Sequence, residues 1–265
     1  MTDLTLQIER EQKLACYNGE DRVLPGSEVL EAYRKDRPSM DPYLSGLSGL
    51  DKIIDGFYPG QLIVVSGITG HGKTTMCQTF TVALAKQMAF PLWFSYEVDC
   101  DDFLRVFPSD LPKYIYMPVK MKDNSIEWIE DRMMEAKFKF DVKAVFIDHL
   151  HYLVSMNPKQ NASFMIGKTV RDLKQLALKH KIVMFLVAHM QKTKNDEEPG
   201  LGHIRDSSFI EQEADTVLYV WRAKTDRMLT VLKIAKNRKR GMIDEKIYTR
   251  LIGGRYEETV HFGEE

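Results

Sequence analysis

From about residue 45 onward, short and continuously apolar segments alternate with segments of helical periodicity. The apolar segments include QLIVVS, PLWFSY, YIYMPV, AVFID and IVMFLVA. Strands that are apolar at nearly every position are typical of a parallel sheet covered by helices on both faces. Intervening segments such as TTMCQTFTVALAKQM place apolar residues on one helical face. The alternation predicts an α/β fold with a mostly parallel sheet flanked by helices.

The last apolar segments of the chain follow a different pattern. TVLYVW, LTVLKIA and KIYTRLI come close together, and KNRKRGMIDE joins the last two. Two strand-like segments with only a short polar connection favour antiparallel pairing. We therefore predict an antiparallel hairpin at the edge of the sheet, near the C-terminus.

Residues 1–44 lack this regular alternation and are predicted to form an N-terminal arm ahead of a domain over 45–265. The stretch TLQIEREQKLACYNGEDRVL is polar and weakly patterned. A short helix follows over residues 28–36, with Ser27 as its N-cap and Pro38 ending it. Its apolar stripe is about one turn long, too little for stability alone. We expect it to dock on the main domain or on another chain.

One glycine-rich stretch, GITGHGKTT at residues 67–75, carries the strongest chemical signal. Gly67, Gly72, Lys73 and Thr74 match the GxxxxGK[ST] pattern between a predicted strand and a predicted helix. Backbone N–H groups and the helix N-terminus there would bind phosphates, with Lys73 on the outer phosphates and Thr74 on Mg²⁺. The ligand predicted is ATP, or another nucleoside triphosphate, with Mg²⁺. The predicted nucleotide-binding residues are Gly67, Thr69, Gly70, His71, Gly72, Lys73, Thr74 and Thr75.

Two carboxylates follow predicted strands and should reach the same edge of the sheet. Asp148 ends the segment AVFID, where ligands bind in open α/β sheets, and we predict it as the second metal residue beside Thr74. Glu97 is the next-to-last residue of LWFSYEV, the strand-like segment that follows the helix after the glycine-rich stretch, here called the P-loop. We predict that Glu97 is the catalytic base that orients or deprotonates water.

Composition limits the classes of partner. The 265 residues carry 37 Lys and Arg against 38 Asp and Glu, a net charge of −1, so nucleic-acid contacts must come from local basic clusters. Three distant cysteines without a CxxC motif argue against a disulfide scaffold or zinc site and fit a reducing cytosol. With a charged N-terminus and no apolar run approaching 18 residues, we expect no membrane association. A cytoplasmic protein is predicted, nucleoid-associated or, if phage-encoded, in the host cytoplasm.

In this order the motifs resemble the RecA-like motor domain of the hexameric replicative helicases, which include the DnaB family, the mitochondrial Twinkle helicase and phage primase-helicases. The resemblance runs from about residue 45 to the C-terminus. It rests on the segments LSGLSGLDKIIDGFYPGQLIVVSGITGHGKTT, FSYEV, VFIDHL, FLVAHMQK, HIRDSSFIEQEADTVLYVWR and IAKNRKRG. One departure is Ser208, which stands where the family more usually has glycine.

The resemblance implies roles for residues that the sequence alone marks weakly. Glu97 matches the family's catalytic base, and His189, at the end of IVMFLVA, matches the residue that senses the γ-phosphate. Lys236 and Arg238 match the lysine and arginine that reach the nucleotide of the neighbouring subunit. A basic residue on a late hairpin makes sense catalytically if a second chain completes the ATP site.

The family also implies partners. We expect a homo-oligomer, a hexameric ring that translocates on single-stranded DNA, 5′-to-3′, in DNA replication. The DNA contacts are predicted in two loops and consist of Lys159, Lys192, Lys194 and Arg205. The helix of the arm would grip the adjacent subunit. Because no primase or collar domain precedes residue 45, we expect a minimal motor, a fragment, or the partner of a separate primase or polymerase.

Two other classes of function remain open from the sequence. A RecA- or RadA-like recombinase shares the fold but forms open filaments, and the segments IEQEAD and KNR favour the helicase over it. An ATP-switched helicase loader or regulatory DNA-binding protein would need only weak turnover. Closed rings and ATPase activity that DNA stimulates would distinguish the motor from both.

Overall fold

The computed structural model describes residues 3–36, 41–107, 111–154, 162–189, 207–223, 226, 228–241 and 243–260. The chain forms two compact units, residues 1–41 and 42–265. In the first unit α1 spans Asp3–Ala15 and α2 spans Gly26–Asp36. The pattern did not predict α1, although its glutamate, glutamine, lysine and leucine residues are good helix formers. The predicted short helix is α2, but it begins at Gly26, so Ser27 lies in its first turn and is not the cap.

Helices and strands alternate through the second unit. Its helices are α3 (Ser48–Ile54), α4 (Lys73–Lys86), α5 (Cys100–Arg105), α6 (Ile126–Phe140), α7 (Ala162–His180) and α8 (Ser207–Glu213). Its strands are β1 (Leu62–Gly67), β2 (Leu92–Ser95), β3 (Ala144–Asp148), β4 (Val183–His189), β5 (Thr216–Arg222), β6 (Leu229–Asn237), β7 (Glu245–Ile252) and β8 (Arg255–Glu258). Short 3-10 helices span Pro112–Tyr114 and Leu150–Tyr152.

Among the described residues the strands form one sheet in the order β2-β3-β4-β1-β5-β6-β7-β8. The first five in this order are parallel, and β6, β7 and β8 continue the sheet in antiparallel pairs. The predicted α/β class, the mostly parallel sheet and the antiparallel C-terminal hairpin are confirmed. The edge itself is β8, which the pattern did not predict.

The segment YIYMPV was predicted as a strand, and this is wrong. It forms one isolated parallel bridge, between Tyr116 and Leu92, after a 3-10 helix. Pro118 follows two residues later and has no N–H group to continue a ladder. The segment therefore covers the end of β2 without adding a strand to the sheet.

Two hydrophobic layers enclose the sheet. Residues of β1 alternate between them: α3, α4 and α5 pack on one face, and α6, α7 and α8 pack on the other. On the first face Trp93 stacks on Phe146 and Phe146 stacks on Phe185, at 4.6 and 4.3 Å between ring centroids. Phe57 and Phe80 contact Phe185 edge-on or tilted. This close packing fixes the central parallel strands, whose carboxyl ends carry the candidate site.

Candidate active site

The loop between β1 and α4 requires glycine at two positions. At Gly72, the N-cap of α4, φ is +95°, and a Cβ atom would lie 2.0 Å from the Tyr256 hydroxyl. At Gly67, φ is +153°, and a Cβ atom would lie 2.1 Å from the Val220 carbonyl oxygen. Tyr256 belongs to β8, and its N–H donates to the Thr79 hydroxyl of α4 at 3.0 Å. The unpredicted edge strand therefore packs directly behind the P-loop.

The exposed tip of the loop can present backbone N–H groups to an anion, although the His71 N–H donates to the Ile68 carbonyl oxygen at 3.2 Å. Thr69 and Gly70 are exposed at its tip, and Thr75 lies in the first turn of α4. His71 Nδ1 accepts the Arg222 N–H at 3.2 Å, which ties the loop to the end of β5. As described, α4 has no acidic residue in its first turn and Gly72 gives no side-chain cap. An unblocked helix N-terminus after a glycine-rich loop is a phosphate-binding arrangement.

Lys73 is a buried cation at the same helix terminus. Its residue is 5% exposed, and Nζ donates to the Ile68 carbonyl oxygen at 3.2 Å. Burial lowers the pKa of Lys73, and the nearby carboxylates of Asp148 and Glu97 oppose that shift. A triphosphate in the loop would supply the negative charge that stabilises the ammonium group.

Thr74 and Asp148 form the pair expected at a Mg²⁺ site. The Thr74 hydroxyl donates to Asp148 Oδ2 at 2.6 Å, and Asp148 Oδ1, also buried, has no hydrogen-bond partner among the described residues. Burial raises the pKa of Asp148 to about 6, while the Thr74 hydrogen bond lowers it. A hydroxyl and a carboxylate are hard oxygen ligands, and an orphaned carboxylate oxygen suits a divalent cation. These residues therefore fit Mg²⁺.

Glu97 lies in the bend after β2, beside two histidines. Its side chain is 44% exposed, and Oε2 lies 3.9 Å from His149 Nε2. The rings of His149 and His189 are 4.1 Å apart between centroids. Burial, with smaller contributions from Lys73 and the neighbouring histidines, lowers the pKa of His149 to about 3 and that of His189 to about 4. Both imidazoles are therefore neutral at physiological pH.

His149 was missed as a site residue, although its place directly after Asp148 at a strand end was a usable signal. Its Nδ1 accepts the His151 N–H at 3.3 Å, so in the neutral ring the proton is on Nε2, which faces Glu97. Ligand atoms of Glu97, His149 and His189 lie within 4.8 Å of one another. A protonated Nε2 offers no lone pair to a metal, so the geometry places an N–H group opposite Glu97, 3.9 Å away and longer than a hydrogen bond, rather than a metal ligand.

Arg238 and Lys236 lie at the opposite end of the parallel strands from the P-loop. The Arg238 N–H donates to the Asp215 carbonyl oxygen at 2.7 Å, and the Asp215 N–H donates to Leu62, the first residue of β1, at 2.9 Å. The P-loop begins at Gly67, where β1 ends. The 6 residues of β1 separate its first residue, near Arg238, from its last residue, at the P-loop, by roughly 17 Å. The structure thus brings together Lys73, Thr74, Asp148, Glu97 and His189, but not Arg238 or Lys236.

The four predicted DNA contacts, Lys159, Lys192, Lys194 and Arg205, lie outside the described residues. No helix of the described part of the chain is both long enough and apolar enough to cross a membrane.

Comparison with protein families agrees with this geometry. The model for the DnaB-like helicase C-terminal domain matches residues 108–249, more than half of the chain. The chain belongs to the DnaB-like helicase C-terminal domain family. The resemblance inferred from the motifs is confirmed. The preceding part of the DnaB-like domain, residues 44–107, matches the KaiC ATPase model.

Curated relatives of this DnaB-like domain include the replicative DNA helicase DnaB of Treponema pallidum, 24% identical in an alignment 242 positions long that covers 79% of this chain and 54% of the relative. The replicative DNA helicase DnaB of Helicobacter pylori (strain ATCC 700392 / 26695) is 24% identical in an alignment 250 positions long that covers 82% of this chain and 51% of the relative. The chain therefore spans about half the length of the curated relatives it matches.

Solved structures with the same fold include one described as an ATPase domain, at a TM-score of 0.72 and 18% identity, over 87% of this chain and 95% of that one. A structure described as a DnaB-like replicative helicase and its interactions with primase also has a TM-score of 0.72, at 17% identity. It covers 96% of this chain and 70% of that one. Both likenesses support the RecA-like fold of the DnaB-like domain.

Proposed function

We propose that this chain is the motor of a hexameric DNA helicase, which couples ATP hydrolysis to 5′-to-3′ movement along single-stranded DNA in replication. One observation carries the proposal beyond family membership. The glycine-rich loop, the Thr74–Asp148 pair and Glu97 lie together at the carboxyl ends of the parallel strands, whereas Arg238 lies at the other end of these strands. In a ring, Arg238 of one subunit can complete the ATP site of the next subunit, which its own arginine does not reach.

ATP binding depends on the P-loop and on the residues beside it at the carboxyl ends of the parallel strands. Backbone N–H groups of residues 67–72 and the N-terminus of α4 bind the phosphates, and Lys73 contacts the outer phosphates from its buried position. Thr74 and Asp148 would hold Mg²⁺. When bound, this cation neutralises charge on the phosphate oxygens. Its charge would also keep Asp148 ionised despite burial.

Glu97 activates water for hydrolysis. Its carboxylate is partly exposed and lies in the loop after β2, so water can reach it. The Nε2–H group of His149 faces the Glu97 carboxylate across 3.9 Å, and we expect this gap to close to a hydrogen bond when ATP binds, which would orient the carboxylate. His189 is a neutral imidazole that ends β4 beside Gly67, with which it is in register, and it contacts the γ-phosphate. Neutral rings can donate one hydrogen bond without adding charge to the site.

Arg238 completes the active site of the neighbouring subunit and stabilises the charge that develops on the transferred phosphate group. Lys236, at the same end of the strands as Arg238, helps to stabilise this charge. Hydrolysis at successive sites around the ring moves the DNA loops, in which Lys159, Lys192, Lys194 and Arg205 track the phosphate backbone. A separate primase or polymerase acts beside this motor. One solved relative is described with primase interactions, which supports that partnership.

The test combines ATPase and unwinding measurements on the full chain, with Lys73→Ala as the inactive control. We expect single-stranded DNA to stimulate ATP hydrolysis and a fork with a 5′ tail to be unwound in preference to its 3′-tailed counterpart. Negative-stain images should show closed rings. Helical filaments would instead indicate a recombinase, and ATP binding without unwinding of either fork would indicate a loader or regulatory protein.

A further inference from the structure

Asp215 is a buried carboxylate with contacts to three separate elements. Its side chain is 8% exposed, and Oδ2 accepts from Lys174 Nζ of α7 at 2.6 Å and from the Leu62 N–H of β1 at 2.8 Å. Its other oxygen, Oδ1, lies 3.3 Å from Arg238 Nε. Asp215 lies between α8 and β5, at the end of the parallel strands opposite the P-loop.

The two oxygens of Asp215 serve different purposes. Oδ2 holds structure together, because Lys174 is itself buried and also donates to the Gly60 carbonyl oxygen at 2.8 Å. A buried carboxylate needs such a partner to remain charged. Oδ1 instead faces the guanidinium of Arg238. Lys174 therefore stabilises the charge that Asp215 presents to Arg238.

Two of the three guanidinium nitrogens of Arg238 contact partners within the subunit. Nε faces Asp215, and Nη2 donates to the carbonyl oxygens of Gln212 and Glu213, at 2.8 and 3.2 Å. These carbonyls end α8, where the helix dipole favours a cation. Lys236 donates to the carbonyl oxygen of Glu211, one residue earlier.

The third nitrogen of Arg238, Nη1, has no hydrogen-bond partner among the described residues. The side chain is also half exposed, in contrast to its buried anchor. Nη1 can therefore contact an anion from outside the subunit while the other two nitrogens keep the group in place. Holding a charged group ready in this way lowers the cost of reaching the transition state.

We propose that Asp215 is a positioning residue that holds Arg238 on the C-terminus of α8, so that Nη1 meets the nucleotide of the neighbouring subunit. This inference rests on the proposed function, in which Arg238 acts across the subunit interface. Asp215 does not touch the nucleotide. Its loss should therefore lower kcat about 10- to 100-fold, the scale of a misplaced catalytic group, and leave KM for ATP within about twofold.

The variant Asp215→Asn removes the charge and keeps an oxygen for the Leu62 N–H, but it also leaves Lys174 as an unpaired buried cation. The paired variant Asp215→Asn/Lys174→Met removes that cation as well. Lys174→Met alone is the matched control for the loss of the lysine: Asp215 keeps the Leu62 N–H and the Arg238 guanidinium as partners, so kcat should fall less than in the paired variant. We expect the paired variant to unfold near the wild-type temperature yet keep the low kcat. Recovery of kcat within twofold of wild type would overturn the inference and make Asp215 purely structural.

Subunit mixing gives a readout that a folding defect cannot imitate. Asp215→Asn subunits have an intact P-loop but a misplaced arginine, so Lys73→Ala subunits should restore their activity and Arg238→Ala subunits should not. Restoration by both partners, or by neither in rings shown to exchange subunits, would overturn the proposal. If Arg238→Ala alone keeps wild-type kcat, the proposed function of Arg238 has failed, and that result is separate from the Asp215 comparisons.

Discussion

Thr74 and Asp148 are 74 positions apart in the chain, and a 2.6 Å hydrogen bond joins the Thr74 hydroxyl to Asp148 Oδ2. One residue comes from the first turn of α4 and the other from the last position of β3. The bond places a hydroxyl and a buried carboxylate at the phosphate-binding loop, which is the arrangement that a nucleotide with Mg²⁺ requires. Two distant segments of the chain therefore form the metal pair through a tertiary contact.

Lys73→Ala should weaken ATP binding by at least ~10-fold, because the outer phosphates lose a charge-assisted contact. A fluorescent ATP analogue and equilibrium titration would measure the change. Lys86→Ala is a suitable control, since Lys86 is an exposed lysine at the other end of the same helix. Affinity within twofold of wild type would show that Lys73 does not contact the phosphates.

Glu97→Gln should bind ATP normally and hydrolyse it at least ~10²-fold more slowly, the usual scale for loss of a positioned base. Binding and single-turnover hydrolysis should be measured on the same preparation. Asp102→Asn, on the exposed face of α5, is the control and should keep wild-type turnover. Normal turnover by Glu97→Gln would assign the base to another carboxylate.

His149→Phe should lower kcat by about 10-fold without raising KM, because Glu97 loses the Nε2–H group that faces its carboxylate at 3.9 Å and would orient it in the ATP complex. His149→Gln places an amide nitrogen near the former Nε2 position and should retain most of the activity. Steady-state kinetics of the two variants would show whether activity requires the N–H group at this position. Equal losses in both would show that the ring is needed for packing rather than for its proton.

Arg238→Ala should bind ATP but hydrolyse it ~10³- to 10⁵-fold more slowly, the range known for arginine fingers. Mixing with Lys73→Ala tests action in trans, because a Lys73→Ala subunit can lend its arginine to the intact P-loop next to it. Part of the ATPase activity should return in the mixture. If labelled subunits exchange and no activity returns, Arg238 works within its own subunit or contacts DNA.

Removal of residues 1–41 should leave a folded motor domain that assembles poorly into rings. The structure favours this cut over one after residue 44, since Tyr43 and Phe57 exchange two backbone hydrogen bonds, of 2.9 and 2.8 Å, within the second unit. Light scattering at matched concentration and salt, with circular dichroism for folding, would report both properties. Rings as stable as those of the full chain would give the N-terminal arm another role.

Most of the fold class could be predicted from the sequence. β1, β3 and β4 are buried at almost every position, which distinguishes strands covered on both faces from the alternating strands of a half-exposed sheet. The strands β6 and β7 were recognisable from their short connection. The segment before residue 20 and the strand β8 were not, because α1 is polar on average and β8 has only four residues.

The amino-acid sequence was enough to identify the residues around the P-loop, because a glycine-rich loop and strand-end carboxylates are local features and parallel strands end on the same side of the sheet. It did not determine that Asp215 would pair with Lys174, that His149 would face Glu97, or that Arg238 would lie a strand length from the P-loop. Those facts depend on strand order and on contacts between distant segments. Hydrophobic periodicity records which face of an element is buried, but not which neighbour it is buried against.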